Sequence, residues 1–149
     1  MILMSLEEYN KMRNFKKTNE PEGKIKKGQN KIYVIQKHYA SHLHYDLRLE
    51  INGVLKSWAI PKEPPTEKGI KRLAVQTEDH PLDYTDFEGK IPEGEYGAGK
   101  VEIWDNGTYE LKESDNDKII VNINGKKLKG QFCLIKFKNQ EKNWLFFKC

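Results

Sequence analysis

Three Asn-Gly dipeptides, Asn52-Gly53, Asn106-Gly107 and Asn124-Gly125, punctuate stretches in which apolar residues recur at every second place. Both residue types tolerate positive φ, so the pair can close a two-residue hairpin whose twist matches its strands. The pattern predicts one hairpin from Tyr45–Ile51 and Val54–Ile60 and another from Val101–Asp105 and Thr108–Lys112. A further strand, Ile119–Ile123, leads into the third dipeptide. Ile32–Gln36, Arg72–Glu78, Gln131–Lys136 and Asn143–Lys148 share the same period, which makes about nine strands in all. Short strands at this spacing predict an all-β, mainly antiparallel barrel or sandwich, and closure into a barrel removes exposed edges.

Ahead of the strands, Ser5-Leu6-Glu7-Glu8 has the form of a capping box, and Leu6, Tyr9 and Met12 recur at helical spacing. They predict a short helix over residues 5–13, followed by an irregular basic connector over 16–30. The length of 149 residues fits a single domain, 1–149, with residues 1–30 packing on the sheet. The longest stretch without clear strands, 79–99, is where a functional loop is expected. No apolar run approaches the roughly 20 residues of a membrane helix, so no membrane association is expected. The first ten residues turn acidic at Glu7 and Glu8 and carry no secretory pattern. Two cysteines, Cys133 and Cys149, do not make a disulfide framework, which points to a reducing, cytoplasmic setting.

Charge is unevenly spread. Residues 11–37 hold nine Lys or Arg against two Glu, and residues 126–149 hold seven Lys against one Glu. Residues 75–95 reverse the balance, with seven Asp or Glu against one Lys. Two basic regions fit either a polyanion such as nucleic acid or a solvated lysine-rich surface.

The chemistry concentrates in one strand. Over residues 42–50, His42, His44, Asp46, Arg48 and Glu50 share one face, and Leu43, Tyr45, Leu47 and Leu49 share the other. Two imidazoles and a carboxylate can occupy three positions of a divalent metal and leave others open, with His38 folding back to join His44 and Asp46. Manganese suits this set, and zinc or cobalt is chemically possible. Arg48 could bind a phosphate through its fork. The same row also suits a polar strand face with no metal, and the residues alone leave both readings open. His80 and Tyr84, in Glu78-Asp79-His80-Pro81-Leu82-Asp83-Tyr84, could stabilise or protonate a phosphate group, or lie in an ordinary surface loop. Gly94-Glu-Tyr-Gly-Ala-Gly99 lacks the phosphate-loop pattern and reads as a turn into a strand at Lys100. No GxSxG elbow or paired Cys and His suggests a side-chain nucleophile. Trp58, Trp104 and Trp144 lie within strand patterns and read as packing residues.

Several motifs, in order, resemble a known family. They are Gln36-Lys-His38, Leu43-His-Tyr-Asp-Leu-Arg-Leu-Glu50, Gly53-Val-Leu-Lys-Ser-Trp-Ala59, Arg72-Leu-Ala-Val-Gln76, Glu78-Asp-His-Pro-Leu-Asp-Tyr84 and Phe87-Glu-Gly-Lys-Ile-Pro-Glu-Gly-Glu-Tyr-Gly97. They look like the 3′-phosphoesterase domain of bacterial DNA ligase D. The resemblance runs from about residue 9 onward and is dense over 33–107.

The resemblance implies a compact β-barrel of about eight to nine strands with a short N-terminal helix. It implies a manganese-dependent enzyme of non-homologous end joining that removes a 3′-terminal ribonucleoside and then the 3′-phosphate, leaving a 3′-hydroxyl. Position by position, His38, His44 and Asp46 match the metal ligands, and Arg48, His80 and Tyr84 the phosphate-side catalytic residues. Lys62 and Arg72 match assisting basic residues. Arg13 and Glu20 fall in an N-terminal segment needed for activity, where Asn14 replaces the usual aspartate. His42 falls where the family does not require histidine. No polymerase or ligase motif occurs, so the chain resembles a stand-alone version of the module. Its expected partners are DNA or DNA/RNA 3′ ends of a primer-template, a separate ligase, a polymerase/primase and a Ku-type end-binding protein. A second reading is a non-catalytic barrel that binds nucleic-acid ends and recruits repair partners. A zinc-stabilised structural module would be expected to carry a cysteine-rich ligand set, which is missing.

Overall fold

The computed structural model describes residues 6–13, 15, 20 and 31–149. A one-turn helix α1 (Glu7–Lys11) precedes nine strands: β1 (Ile32–Tyr39), β2 (Leu43–Ile51), β3 (Val54–Ile60), β4 (Lys71–His80), β5 (Gly89–Ile91), β6 (Gly99–Ser114), β7 (Lys118–Gly125), β8 (Lys129–Lys136) and β9 (Asn143–Lys148). A 3-10 helix (Leu82–Asp86) lies between β4 and β5. The spatial order is β1-β2-β3-β4-β9-β8-β7-β6, and β6 returns to β1, so eight strands close a barrel. β5 adds to β6 outside that ring, and every ladder between these strands is antiparallel.

Alternation decides which residues face inward. Tyr45, Leu47 and Leu49 of β2 join Tyr33, Trp58, Phe132 and Phe146 in the barrel core. Trp144 lies in that core as well, with Trp104 partly buried against it. The opposite face of β2 is covered too: Asp46, Arg48 and Glu50 are all buried. A second apolar cluster explains this. Tyr9 of α1, Leu82, Tyr84, Phe87 and Ile91 pack with Leu55 and Val101, making an overlay on the outer wall.

The first hairpin forms as expected, with Asn52 at φ 54 and Gly53 at φ 83. The second does not form. Val101–Asp105 and Thr108–Lys112 merge into the single 16-residue strand β6. Gly107 pairs with Tyr33 on one side and Gly125 on the other, and a Cβ there would overlap the Asn124 carbonyl oxygen. Close approach of two backbones, rather than a turn, requires glycine here. At the third dipeptide the reversal comes later. Gly125 ends β7 and donates its N–H to the Leu128 carbonyl at 2.9 Å. The Asp105 carboxylate takes the N–H groups of Lys126, Lys127 and Leu128 at 2.8, 3.0 and 2.9 Å, and so builds that turn.

Two further expectations change. The described helix starts at Glu7 behind Leu6, with no side-chain cap, and Ser5 lies outside the described residues, as does most of the basic connector. The stretch 79–99 is structured: His80 is the last residue of β4, and the 3-10 helix and β5 follow. No helix among the described residues is long and apolar enough to cross a membrane.

Candidate metal centre

His38 on β1 stands directly opposite His44 on β2, and Asp46 follows on the same face. Their candidate ligand atoms all lie within 4.8 Å of one another. His38 Nδ1 is 3.6 Å and His44 Nε2 is 3.3 Å from the Asp46 carboxylate. The other nitrogen of each ring is committed to a backbone carbonyl: His38 Nε2 to Gly97 at 2.6 Å and His44 Nδ1 to His42 at 3.1 Å. A carbonyl only accepts, so those nitrogens carry the protons. In the neutral rings the two lone pairs therefore converge beside a carboxylate. This is the second-nitrogen anchoring that orients metal-binding histidines. The donor set fits a divalent cation that accepts nitrogen and oxygen. His42 enters only through its carbonyl, as a neighbour.

The electrostatics agree. Burial alone would raise the Asp46 carboxyl, yet the facing His38 and His44 rings and the Arg48 charge hold it well below the usual carboxylate range. Burial disfavours the His44 cation, but Asp46 outweighs that and lifts its pKa above the ordinary value.

Arg48, next on the same face of β2, is buried and held through its Nε and Nη1. Its Nε donates to Gln36 Oε1 at 2.6 Å and its Nη1 to Ser57 Oγ at 2.8 Å. Its Nη2 lies 3.5 Å from Asp46, and the guanidinium sits 4.8 Å from the centre of the Tyr84 ring. Gln36 is itself fixed, because its amide nitrogen donates to the carbonyls of Tyr84 and Phe87. The barrel wall and the overlay therefore both hold this arginine.

Arg13, just beyond α1, reaches the same place. It donates to Glu20 at 2.9 Å and to Glu78 at 3.3 Å, and approaches His80 Nε2 at 3.3 Å. Tyr84 donates its hydroxyl to Glu20 at 2.8 Å. Burial depresses the His80 pKa, and Arg48 and Arg13 depress it further, so the ring is neutral at pH 7. Its Nδ1 donates to the Glu78 carbonyl at 3.0 Å, leaving the Nε2 lone pair toward Arg13. Burial pushes the Tyr84 hydroxyl up, which keeps it protonated.

Eight residues singled out from the sequence (Arg13, Glu20, His38, His44, Asp46, Arg48, His80 and Tyr84) line one cavity of about 280 Å³. Lys62 and Arg72 do not. They line a separate cavity with Pro61, Lys71 and Leu73, and Arg72 Nε donates to the Glu63 carbonyl at 2.8 Å. Glu78 and Tyr96 line the main pocket without having been singled out. Glu78 was findable: with β4 running through to His80, a period of two puts residues 78 and 80 on one face. Gln36 and Ser57 gave no signal, since their role depends on where Arg48 lies.

Together these features define an antiparallel β-barrel protein whose outer wall carries a candidate His-His-Asp metal centre next to a pocket that holds Arg13 and Arg48. A family model described as the DNA Ligase D 3′-phosphoesterase domain matches residues 36–136. The chain belongs to that family. It is 48% identical over 137 residues, 88% of its length, to the multifunctional non-homologous end joining DNA repair protein LigD of Mycobacterium tuberculosis. It is 45% identical over 153 residues (96% of the chain) to the LigD protein of Pseudomonas aeruginosa, and 49% identical over 157 residues (97%) to that of Mycolicibacterium smegmatis. The chain spans 18% to 20% of the length of these relatives.

Proposed function

We propose that this protein is a divalent-metal-dependent phosphoesterase that heals DNA 3′ ends in end joining. It removes a 3′-terminal ribonucleoside and the remaining 3′-phosphate to expose a 3′-hydroxyl. The observation that carries the reading is the convergence of two anchored imidazoles and Asp46 within one cavity with the buried guanidinium of Arg48. A non-catalytic end-binding module has no use for such a cluster. His38, His44 and Asp46 would hold the metal, manganese by preference, with cobalt or zinc as alternatives. When bound, the ion supplies Lewis acidity toward a phosphate oxygen.

The chain's own groups divide the remaining work. Arg48, charged at any working pH, presents Nη2 toward a phosphate oxygen, while Gln36 and Ser57 fix its orientation. Arg13 adds a second positive group, held by Glu20 and Glu78. His80 has its one proton engaged on Nδ1, so its role at neutral pH is to accept a hydrogen bond or a proton at Nε2. The donor role open to it in the sequence thus passes to the two arginines. The Ser57 hydroxyl is buried and donates to the Leu55 carbonyl, so it is not poised as a nucleophile. Water attacks directly, and no phosphoenzyme forms. Lys62 and Arg72 serve the flanking DNA backbone from their own cavity.

The test is to incubate the protein with a labelled primer-template ending in one ribonucleotide, with manganese or EDTA, and resolve the 3′ ends. Loss of the ribonucleoside followed by a 3′-hydroxyl, with manganese only, is the expected result. An unchanged end in both samples overturns it.

A further inference from the structure

Tyr96 stands at the mouth of the pocket with 47% of its surface exposed, more than any other large apolar or aromatic residue described. Its backbone is tightly held. Gly94 and Gly97 on either side have φ of 87 and 74. The N–H of Glu95 donates to Pro92 at 3.2 Å and that of Ala98 to Glu95 at 3.1 Å. The carbonyl of the very next residue, Gly97, receives the His38 proton. The ring therefore hangs from a loop fastened to a candidate metal ligand.

Its surroundings are equally specific. The Arg13 guanidinium lies between two rings, 3.8 Å from the centre of buried Tyr9 and 5.3 Å from that of Tyr96. Tyr96 is thus the exposed outer ring over the Arg13 guanidinium, and its hydroxyl is only at the limit of reach of Glu78, at 3.5 Å. Exposed Glu93 and half-buried Glu95 precede it and disfavour a phosphodiester chain on this side. The only portion of a DNA 3′ end that carries no charge and lies beyond the scissile phosphate is the terminal nucleoside. Tyr39, another exposed aromatic near the centre, does not line the pocket, and Lys37 and Lys100 crowd its ring at 5.2 and 5.9 Å.

We propose that Tyr96 is the stacking platform for the departing 3′-terminal nucleoside, and so sets preference for an end that still carries a nucleoside over an end that carries only a phosphate. The proposal rests on the phosphoesterase reading and deepens it. An aromatic face accepts any base, so the platform selects for the presence of a nucleoside and not for its sequence.

The experiment compares two ends on one duplex, a 3′-terminal ribonucleoside and a 3′-phosphate, with native protein, Tyr96→Phe and Tyr96→Ala. Tyr96→Ala should raise KM for the ribonucleoside end by about 10-fold or more relative to the phosphate end, while Tyr96→Phe keeps the native ratio. A 2-aminopurine riboside at the 3′ end, bound in EDTA, should lose fluorescence on native protein and on Tyr96→Phe but not on Tyr96→Ala. If native protein hydrolyses both ends and Tyr96→Ala shifts both KM values equally, or neither, the platform is wrong and the phosphoesterase reading stands. If native protein hydrolyses neither end, both fall.

Discussion

His38 gives its Nε2 proton to the carbonyl oxygen of Gly97, 2.6 Å away, across 59 residues of sequence. That bond fixes the tautomer which leaves Nδ1 free toward Asp46. Gly97 holds φ 74, and an added Cβ would sit 3.5 Å from the His38 ring. Gly97→Ala should therefore tilt the carbonyl and weaken manganese binding by about 10-fold, as loss of a group that orients a ligand does. Asp46→Asn should abolish it. Titration calorimetry with manganese reads both, and native affinity in Gly97→Ala would show that the carbonyl does not orient the ring.

Arg48→Ala should retain metal and lose turnover by about 10²-fold or more, if the guanidinium acts in the transition state. It also strips Gln36 Oε1 of its buried donor, at a cost of about 1–3 kcal/mol in stability. Arg48→Lys should rescue neither effect, because a point charge cannot serve Gln36, Ser57 and Asp46 together. Steady-state rates and a urea melt measure the two consequences separately.

The pH dependence of the metal-free fold follows from two histidines shifted in opposite senses. The His80 pKa is lowered, so below about pH 6.5 the unfolded chain takes up a proton that the folded chain refuses, and stability falls with falling pH. The His44 pKa is raised, so its contribution is complete below that point and fades as pH rises through the folded value. Thermal melts in EDTA should peak near pH 6.5, the ordinary histidine value. His80→Gln should flatten the limb between about pH 6.5 and 5, above the range of most carboxylates. An acid limb unchanged in that variant would assign the loss to other groups.

Gly53→Ala is the structural counterpart. At φ 83 an alanine is strained, and the hairpin should lose about 1–2 kcal/mol. The turn does not line the pocket, so turnover measured below the melting range should match the native rate.

The period of two was enough to place most strands and to separate the inward face of β2 from the face that carries His44, Asp46 and Arg48. It failed where one signal has two physical causes. Asn106-Gly107 reads as a hairpin because glycine suits positive φ, but glycine also suits two backbones in contact, and Gly107 lies where β1, β6 and β7 meet. β5 has only three residues and gives no periodic signal. The metal set was legible because its strand-borne members alternate locally. The partners of Arg48 were not, because Gln36 and Ser57 meet it only after the barrel closes and the overlay settles on it.

β6 belongs to both layers. Gly99–Val101 pairs with β5 of the overlay, while Gly107–Ser114 closes the barrel against β7, without a break between them. Val101 is also the cross-strand neighbour of His38. The backbone amides that frame the candidate site and those that seal the barrel therefore belong to one strand, shared among its ladders with β5, β1 and β7. In amide-exchange terms the site has no local opening of its own at this strand: Val101 and the β6 residues facing β7 should exchange only through the same global event. A pocket this dependent on exact placement is thus protected by the stability of the whole barrel.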